Sequence, residues 1–181
     1  MTTLLERIRN LQEHILEVGL ARSVLALPAP RMLALSAPNS EASGLSSAYG
    51  RTVTESEIND VSRDLFASGH YSLAVQEALK AVEKFVQEKV NNTGLSGTKL
   101  MEVVFSPDAP RLFWSNRKTA SEVDEQRGYQ RLYAGAMLGI RNPVTHEFNW
   151  IDDGEVALEL VLFAQHLLRK AKAAITAAPT P

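Results

Sequence analysis

Cysteine does not occur in this chain of 181 residues. Its absence excludes disulfide bonds, thiolate zinc sites and cysteine nucleophiles together. The chain also lacks an excess of positive charge, because its formal net charge is -2. No overall basic field therefore attracts the protein to nucleic acid, and an RNA-binding role would need a local basic patch.

Long apolar runs are missing as well. No window approaches about 18 uninterrupted apolar residues, so we expect no membrane-spanning helix. Charges at Glu6, Arg7 and Arg9 interrupt the apolar region that a secretory signal would need. A chain without disulfides suits a reducing compartment, and we expect a cytoplasmic location.

What remains is an ordinary globular composition, with 45% apolar and 22% charged residues. Residues 1–20 form a predicted amphipathic helix, because apolar residues recur there at helical spacing. Prolines, serines, glycines and alanines then indicate a linker over residues 21–53. A helical domain is predicted over residues 54–175, followed by a disordered tail over residues 176–181.

The predicted domain is all-α. Helices are expected over about 54–68, 71–90, 97–105, 124–140 and 153–173, with a short irregular or hairpin excursion near residues 107–121. Thr54 and Glu57 have the spacing of a capping box, and Gly69 suits the left-handed residue after a helix. Candidate caps of the last two long helices are Ser121 and the Asp152–Asp153 pair.

The second long helix carries an apolar stripe at helical spacing, formed by Val75, Leu79, Val82 and Val86. The last helix has two apolar stripes, which predicts burial on two sides and a candidate dimer contact.

The junction of the last two long helices holds the strongest chemical pattern. Arg141 and Asn142 precede Pro143, and His146 follows. Because proline disfavours a helical residue before it, we expect the helix to end near Arg141, with Asn142 as the N-cap of a new turn. Backbone amides at such an N-terminus and the Arg141 fork favour a phosphate, and histidine exchanges protons near neutral pH. Metal-independent RNA cleavage needs those groups.

The same residues also have a structural interpretation. An Arg near a helix C-terminus interacts with the helix dipole, and Asn before Pro is an ordinary helix boundary. A lone His is more often structural than catalytic, and one His cannot be both acid and base in one step. Two copies that meet across a dimer would supply the second group.

The Arg-Asn pair, three further residues and a His, set between two helices, resemble the HEPN superfamily. The wider sequence resembles its phage and bacterial Ymh-like branch. The resemblance covers about Glu55 to Ala173, and its most similar stretches are residues 69–71, 74–78, 94–101, 124–129 and 140–143.

This resemblance implies a four- or five-helix bundle that dimerises so that two motifs face each other. The predicted helix over residues 1–20 lies outside the resemblance and would be an addition to that bundle. It implies a metal-independent endoribonuclease of a toxin, abortive-infection or other phage-defence system, with RNA as substrate and an antitoxin or defence protein as a candidate partner. Arg141 would bind the scissile phosphate, Asn142 would position the phosphate or the Arg, and His146 would be the general acid/base. Some HEPN domains only bind RNA, nucleotides or partner proteins, and that alternative stays open.

Other candidates are weaker. His70, Tyr71 and Glu77 could polarise His146 or contact RNA, or could be helix-cap and surface residues. The excursion mixes cations with an aromatic, as RNA-contacting loops do, through Arg111, Trp114, Arg117 and Lys118. A solvated loop with one buried Trp is the alternative interpretation of the excursion. The histidines lack paired ligand spacing, so we expect neither metal nor cofactor. A third hypothesis is a structural oligomer built by the first helix.

Overall fold

The computed structural model describes residues 40–147 and 150–177, and there it is predominantly helical. The all-α prediction is therefore confirmed. The helices are α1 (Ser40–Thr52), α2 (Ser56–Ala67), α3 (Tyr71–Lys89), α4 (Gly97–Val104), α5 (Ala120–Ala136), α6 (Asn142–His146) and α7 (Gly154–Ala173). A π-helical turn (Met137–Arg141) joins α5 to α6, and two short strands, β1 (Leu112–Phe113) and β2 (Ile175–Thr176), pair antiparallel.

Helix α3 is at the centre of the core, where it packs against α2 and α7. Its predicted apolar stripe is fully buried, and each such aliphatic side chain contributes about 1.5–3 kcal/mol relative to an exposed position. The stripe consists of Val75, Leu79, Val82 and Val86. The helical spacing of these apolar residues therefore identifies α3 as the helix around which the others pack.

Helix α1 corrects the predicted linker, because residues 40–52 are helical and belong to the folded domain. Tyr49 is buried, its hydroxyl is 2.7 Å from Ser62 Oγ, and its ring packs on Phe66 with centroids 4.8 Å apart. The sequence did not indicate this helix because its residues are mostly small and polar. One buried aromatic residue does not produce a repeat of apolar residues at helical spacing. The remainder of the linker, residues 21–39, and the predicted helix over residues 1–20 lie outside the described residues.

The start of α2 also differs from the prediction. Its N-cap is Glu55 without a side-chain capping bond, so the expected capping box of Thr54 and Glu57 is wrong. Gln165 of α7 replaces it: its Oε1 accepts from the amides of Thr54 and Glu55 at 2.6 and 3.0 Å. At the other end of α2, Gly69 has φ +78 and confirms the predicted left-handed C-terminus.

The excursion after α4 does not form a hairpin of its own. Its strand β1 pairs with β2 at the end of the chain, with Leu112 opposite Thr176. The predicted tail therefore begins too early, because Thr176 is in a strand and the amide of Ala177 donates to Arg111 O at 2.8 Å. Residues 178–181 lie outside the described residues.

Helix α5 begins earlier than expected. Thr119 and Glu122 form a capping box, in place of a cap at Ser121, so the first turn of the helix precedes the predicted start at Asp124. Helix α7 begins after Asp153, whose Oδ1 accepts from the amides of Glu155 and Val156, and this confirms the predicted acidic cap.

Candidate functional site

The π-helical turn Met137–Arg141 replaces the predicted helix boundary at Asn142. Asn142 is helical, with φ -66 and ψ -46, and its amide donates to the carbonyl of Met137. Pro143 would clash with the carbonyl of Gly139 in a regular α-helix, and the wider π turn relieves that contact. The chain therefore continues helically from α5 into α6, although Pro143 lacks an N–H.

This continuity removes one predicted feature of the site. Asn142 is not the N-cap of a new helix, and its amide is already bonded to Met137 O. The expected anion site at a free helix N-terminus is therefore wrong. An anion at this junction would have to be bound by side chains.

Arg141 forms an ion pair with Glu83 of α3. Its Nη2 is 3.2 Å from Glu83 Oε2, and its Nη1 donates to Asn142 Oδ1 at 3.2 Å. The second carboxylate oxygen, Glu83 Oε1, accepts from the amide of Gly97 at the start of α4 at 2.8 Å. The side chain of Arg141 is 24% exposed and that of Glu83 is 8% exposed. Glu83 therefore orients the guanidinium while part of it stays accessible.

Glu83 was missed by the sequence analysis, although a signal was present. It lies within the apolar stripe of α3, four residues after Leu79 and three before Val86. A carboxylate at a core-facing position requires a partner, because an unpaired buried charge is costly. Arg141 is that partner.

His146, at the end of α6, is exposed and lines a cleft of about 460 Å³. The cleft lies between the start of α3 and the α6–α7 connection, and it brings His146 together with His70 and Tyr71. The other polar groups that line it are Ser72, Gln76, Thr145, Glu147 and Asp152. Two of the predicted supporting residues therefore share a cavity with the predicted general acid/base.

Two hydrogen-bonded links hold the walls of this cleft. Gln76 Nε2 donates to Thr145 Oγ1 at 3.0 Å, which ties α3 to α6. Ser72 Oγ donates to Ile151 O at 3.1 Å and accepts from Ile151 N at 2.8 Å, which ties α3 to the connection before α7. The cleft is therefore built between anchored elements.

The start of α7 packs closely against the ring of Tyr71. A Cβ atom at Gly154 would be 2.8 Å from Tyr71 Cζ and 2.8 Å from Leu45 Cδ1, closer than such atoms can approach. Only glycine allows the first turn of α7 to approach the Tyr71 ring this closely.

Arg141 and Asn142 do not line this cleft. Arg141 lies over Glu83, whereas Thr145, next to His146, lies over Gln76. Gln76 and Glu83 are seven positions apart, which corresponds to about 10 Å along one face of an α-helix. The Arg141 guanidinium and the cleft that His146 lines therefore lie at two separate positions along the same face of α3.

Glu77 lies on a different side of α3 from the cleft. Its Oε1 accepts from Lys80 Nζ at 2.7 Å, and it lines a second groove, next to α2. The structure thus separates Glu77 from His70 and Tyr71, with which it was grouped in the sequence.

The predicted RNA-contacting excursion divides into packed and exposed residues. Trp114 stacks on Phe105 with ring centroids 5.5 Å apart, and its Nε1 donates to Lys170 O at 2.8 Å. Arg117 donates to Pro107 O at 3.1 Å, whereas Arg111 and Lys118 are exposed. Trp114 therefore contributes to packing, whereas the exposed side chains of Arg111 and Lys118 are accessible to a ligand.

Over residues 53–171 the chain matches the family described as "Protein of unknown function (Hypoth_ymh)". The chain belongs to the Hypoth_Ymh family. The Hypoth_Ymh match includes every residue that lines the cleft, together with the Glu83–Arg141 pair. No curated protein and no solved structure matches the chain.

Two further findings concern this Hypoth_Ymh domain. Among residues 40–147 and 150–177, no three His, Asp or Glu side chains are grouped so that they could hold a metal ion. Within the same ranges, no helix combines the length and apolarity needed to cross a membrane.

Proposed function

We propose that this protein is a metal-independent endoribonuclease of the HEPN type. It would cleave RNA by attack of the 2′-OH on the neighbouring phosphate. The observation that favours this function is the exposed imidazole of His146 in a cleft of about 460 Å³. On the same face of α3, the ion pair with Glu83 orients the guanidinium of Arg141. Those two groups supply proton transfer and phosphate recognition.

The roles follow from these positions. His146 exchanges a proton with the reacting ribose or with the leaving oxygen. Arg141, about 10 Å along α3 from the cleft, holds a flanking phosphate of its own subunit's RNA. In a homodimer, Arg141 of the partner subunit would reach the scissile phosphate and complete a composite site. Asn142 Oδ1 accepts from the guanidinium at 3.2 Å and so helps to orient it.

The homodimer that we propose would bury apolar side chains that stay exposed on α5, the π turn and α7. Leu138 of the π turn is 62% exposed, Leu132 of α5 is 45% exposed and Val156 of α7 is 43% exposed. Exposed apolar groups on neighbouring elements favour association. The biological setting that we propose is a toxin or phage-defence system, in which an antitoxin or partner protein would control the activity.

The direct test is cleavage of single-stranded RNA by the purified full chain in EDTA. We expect products that end in 2′,3′-cyclic phosphate, and loss of cleavage in His146→Ala. The matched control is His166→Ala, because His166 is exposed but bonds Tyr129 and does not line the cleft. Cleavage that survives His146→Ala, or that stops in EDTA alone, would refute this mechanism.

One observation favours an alternative, a catalytically silent HEPN module that binds RNA, a nucleotide or a partner protein. Arg141 is engaged by Glu83, and neither Lys nor Arg is among the described residues that line the cleft. The alternative predicts salt-sensitive RNA binding without cleavage. It fails if expression of the wild type is toxic and expression of Arg141→Ala is not, provided that both accumulate as folded protein.

A further inference from the structure

We propose that His70 is the second proton-transfer residue of the cleft and acts with His146 of the same chain. This inference rests on the ribonuclease function proposed above and deepens it. A single histidine cannot give and take a proton in one step, and the second group need not come from another subunit. The cleft of each chain already holds two imidazoles.

The position of His70 favours this role. It is the N-cap residue of α3, where its amide donates to Leu65 O at 2.8 Å and its carbonyl accepts from Ala74 N at 2.9 Å. The backbone is thus fixed on both sides, and the exposed side chain lines the cleft.

His146 lines the same cleft on the wall that α6 forms. The Gln76–Thr145 hydrogen bond, at 3.0 Å, fixes that wall relative to α3. The two imidazoles therefore line one cleft of about 460 Å³, a volume large enough to hold a phosphodiester. The other titratable groups that line it are Tyr71, Glu147 and Asp152.

The chemistry requires two imidazoles in opposite protonation states. The neutral one takes the proton of the ribose 2′-OH, and O2′ forms a bond to phosphorus. The bond from phosphorus to O5′ breaks, and the protonated imidazole gives its proton to O5′. The products are a 2′,3′-cyclic phosphate and a 5′-hydroxyl. Atoms and charge balance without a metal or any co-reactant.

The first experiment compares His70→Gln, His146→Gln and the control His166→Gln on a fluorophore-labelled single-stranded RNA of mixed sequence. We expect each cleft variant to slow cleavage by about 10²-fold or more, and the control to stay close to wild type. The wild-type rate should be bell-shaped in pH, and each cleft variant should lose one limb. Melting curves for all three establish that they are folded, and His70→Asn provides a second variant at the same position.

The second experiment mixes the two inactive variants. If both imidazoles act within one chain, a mixed dimer of His70→Gln and His146→Gln contains no complete pair, and mixing restores no activity. If His70 of one subunit works with His146 of the partner subunit, mixing recovers part of the wild-type rate and refutes the proposal.

The outcomes separate this inference from the function on which it rests. Wild type that cleaves RNA, with His146→Gln inactive and His70→Gln fully active, refutes the His70 role and leaves the ribonuclease function intact. Wild type that cleaves no RNA refutes both.

Discussion

Glu83 and Arg141 form an ion pair in which Glu83 Oε2 lies 3.2 Å from Arg141 Nη2. The pair joins the central helix α3 to the π turn at the first residue of the proposed motif. The carboxylate also accepts from the Gly97 amide, so three elements meet at one side chain. Arg141 Nε is buried without a hydrogen-bond partner among the described residues, so hydrogen bonds do not fully offset the free-energy cost of burying this pair.

Removing one charge of the ion pair should lower the free energy of unfolding more than removing both charges. Arg141→Met leaves the Glu83 carboxylate buried and unpaired, and we expect it to lower the free energy of unfolding by about 3 kcal/mol. The double variant Glu83→Gln, Arg141→Met removes both charges and should lie within about 1 kcal/mol of wild type. Urea denaturation followed by circular dichroism gives both values. Equal losses in the single and double variants would contradict this account.

Gly154 should tolerate no side chain. In Gly154→Ala the new Cβ would meet Tyr71 and Leu45 at 2.8 Å, so the Tyr71 ring must shift. We expect a loss of about 1–3 kcal/mol from this overpacking. Gly128 of α5 is the control, because a Cβ there has nothing within 4 Å, and Gly128→Ala should raise stability by about 0.5–1 kcal/mol. A Gly154→Ala protein as stable as wild type would show that the contact is easily relieved.

Gln165 should stabilise the start of α2 from a distance. It accepts from two backbone amides there, and its Nε2 donates to Thr52 O at 2.9 Å. Gln165→Leu removes these bonds from a buried side chain, and we expect a loss of about 2 kcal/mol. Gln130→Leu removes one bond at an exposed site and should change stability by less than about 0.5 kcal/mol. The midpoints of urea denaturation test the contrast; similar losses in both variants would refute it.

Glu55 should give the fold a pH-dependent contribution. The Arg169 guanidinium and the Lys172 ammonium hold the pKa of Glu55 below its ordinary value, and Glu55 in turn raises the pKa of Lys172. The Glu55 contribution is therefore present above its unfolded pKa of about 4.3 and is lost as pH falls through the lower folded pKa. The Lys172 contribution is present below its unfolded pKa of about 10.4 and is lost as pH rises through the higher folded one.

The measurement compares wild type with Glu55→Gln in urea at several pH values. At neutral pH we expect wild type to be more stable by about 0.5–1 kcal/mol, as for partly exposed ion pairs. The difference should shrink toward zero at strongly acidic pH. A difference that stays constant from neutral to acidic pH would exclude an electrostatic origin.

The long helices could be predicted from the sequence because their packing repeats locally. Four apolar residues at helical spacing defined α3, and the acidic cap at Asp153 placed the start of α7. Helix α1 could not be predicted in the same way. Its burial depends mainly on Tyr49, whose partners Ser62 and Phe66 belong to the next helix.

The candidate site was only partly predictable for a related reason. Residues near one another in sequence suggested one group of Arg141, Asn142 and His146, yet Arg141 contacts Glu83, further along α3, and neither Arg141 nor Asn142 lines the cleft. Glu83 comes from α3, far from the motif along the chain, and its contact with Arg141 was not predicted. His70 was grouped with Glu77, from which the structure separates it. Both positions depend on which turn of α3 faces which residue of the junction, and a local sequence pattern does not contain that register.

The π turn has a consequence for how this junction tolerates insertions and deletions. Each residue of a helix rotates the chain by about 100°, and a π turn holds one residue more than an α turn. Deletion of Gly139 would convert the π turn into an α turn, which keeps the later side chains at the same angle around the helix axis but brings Pro143 against the carbonyl four residues before it. The additional residue therefore accommodates the proline, and we expect this stretch to accept a changed residue more readily than a lost one.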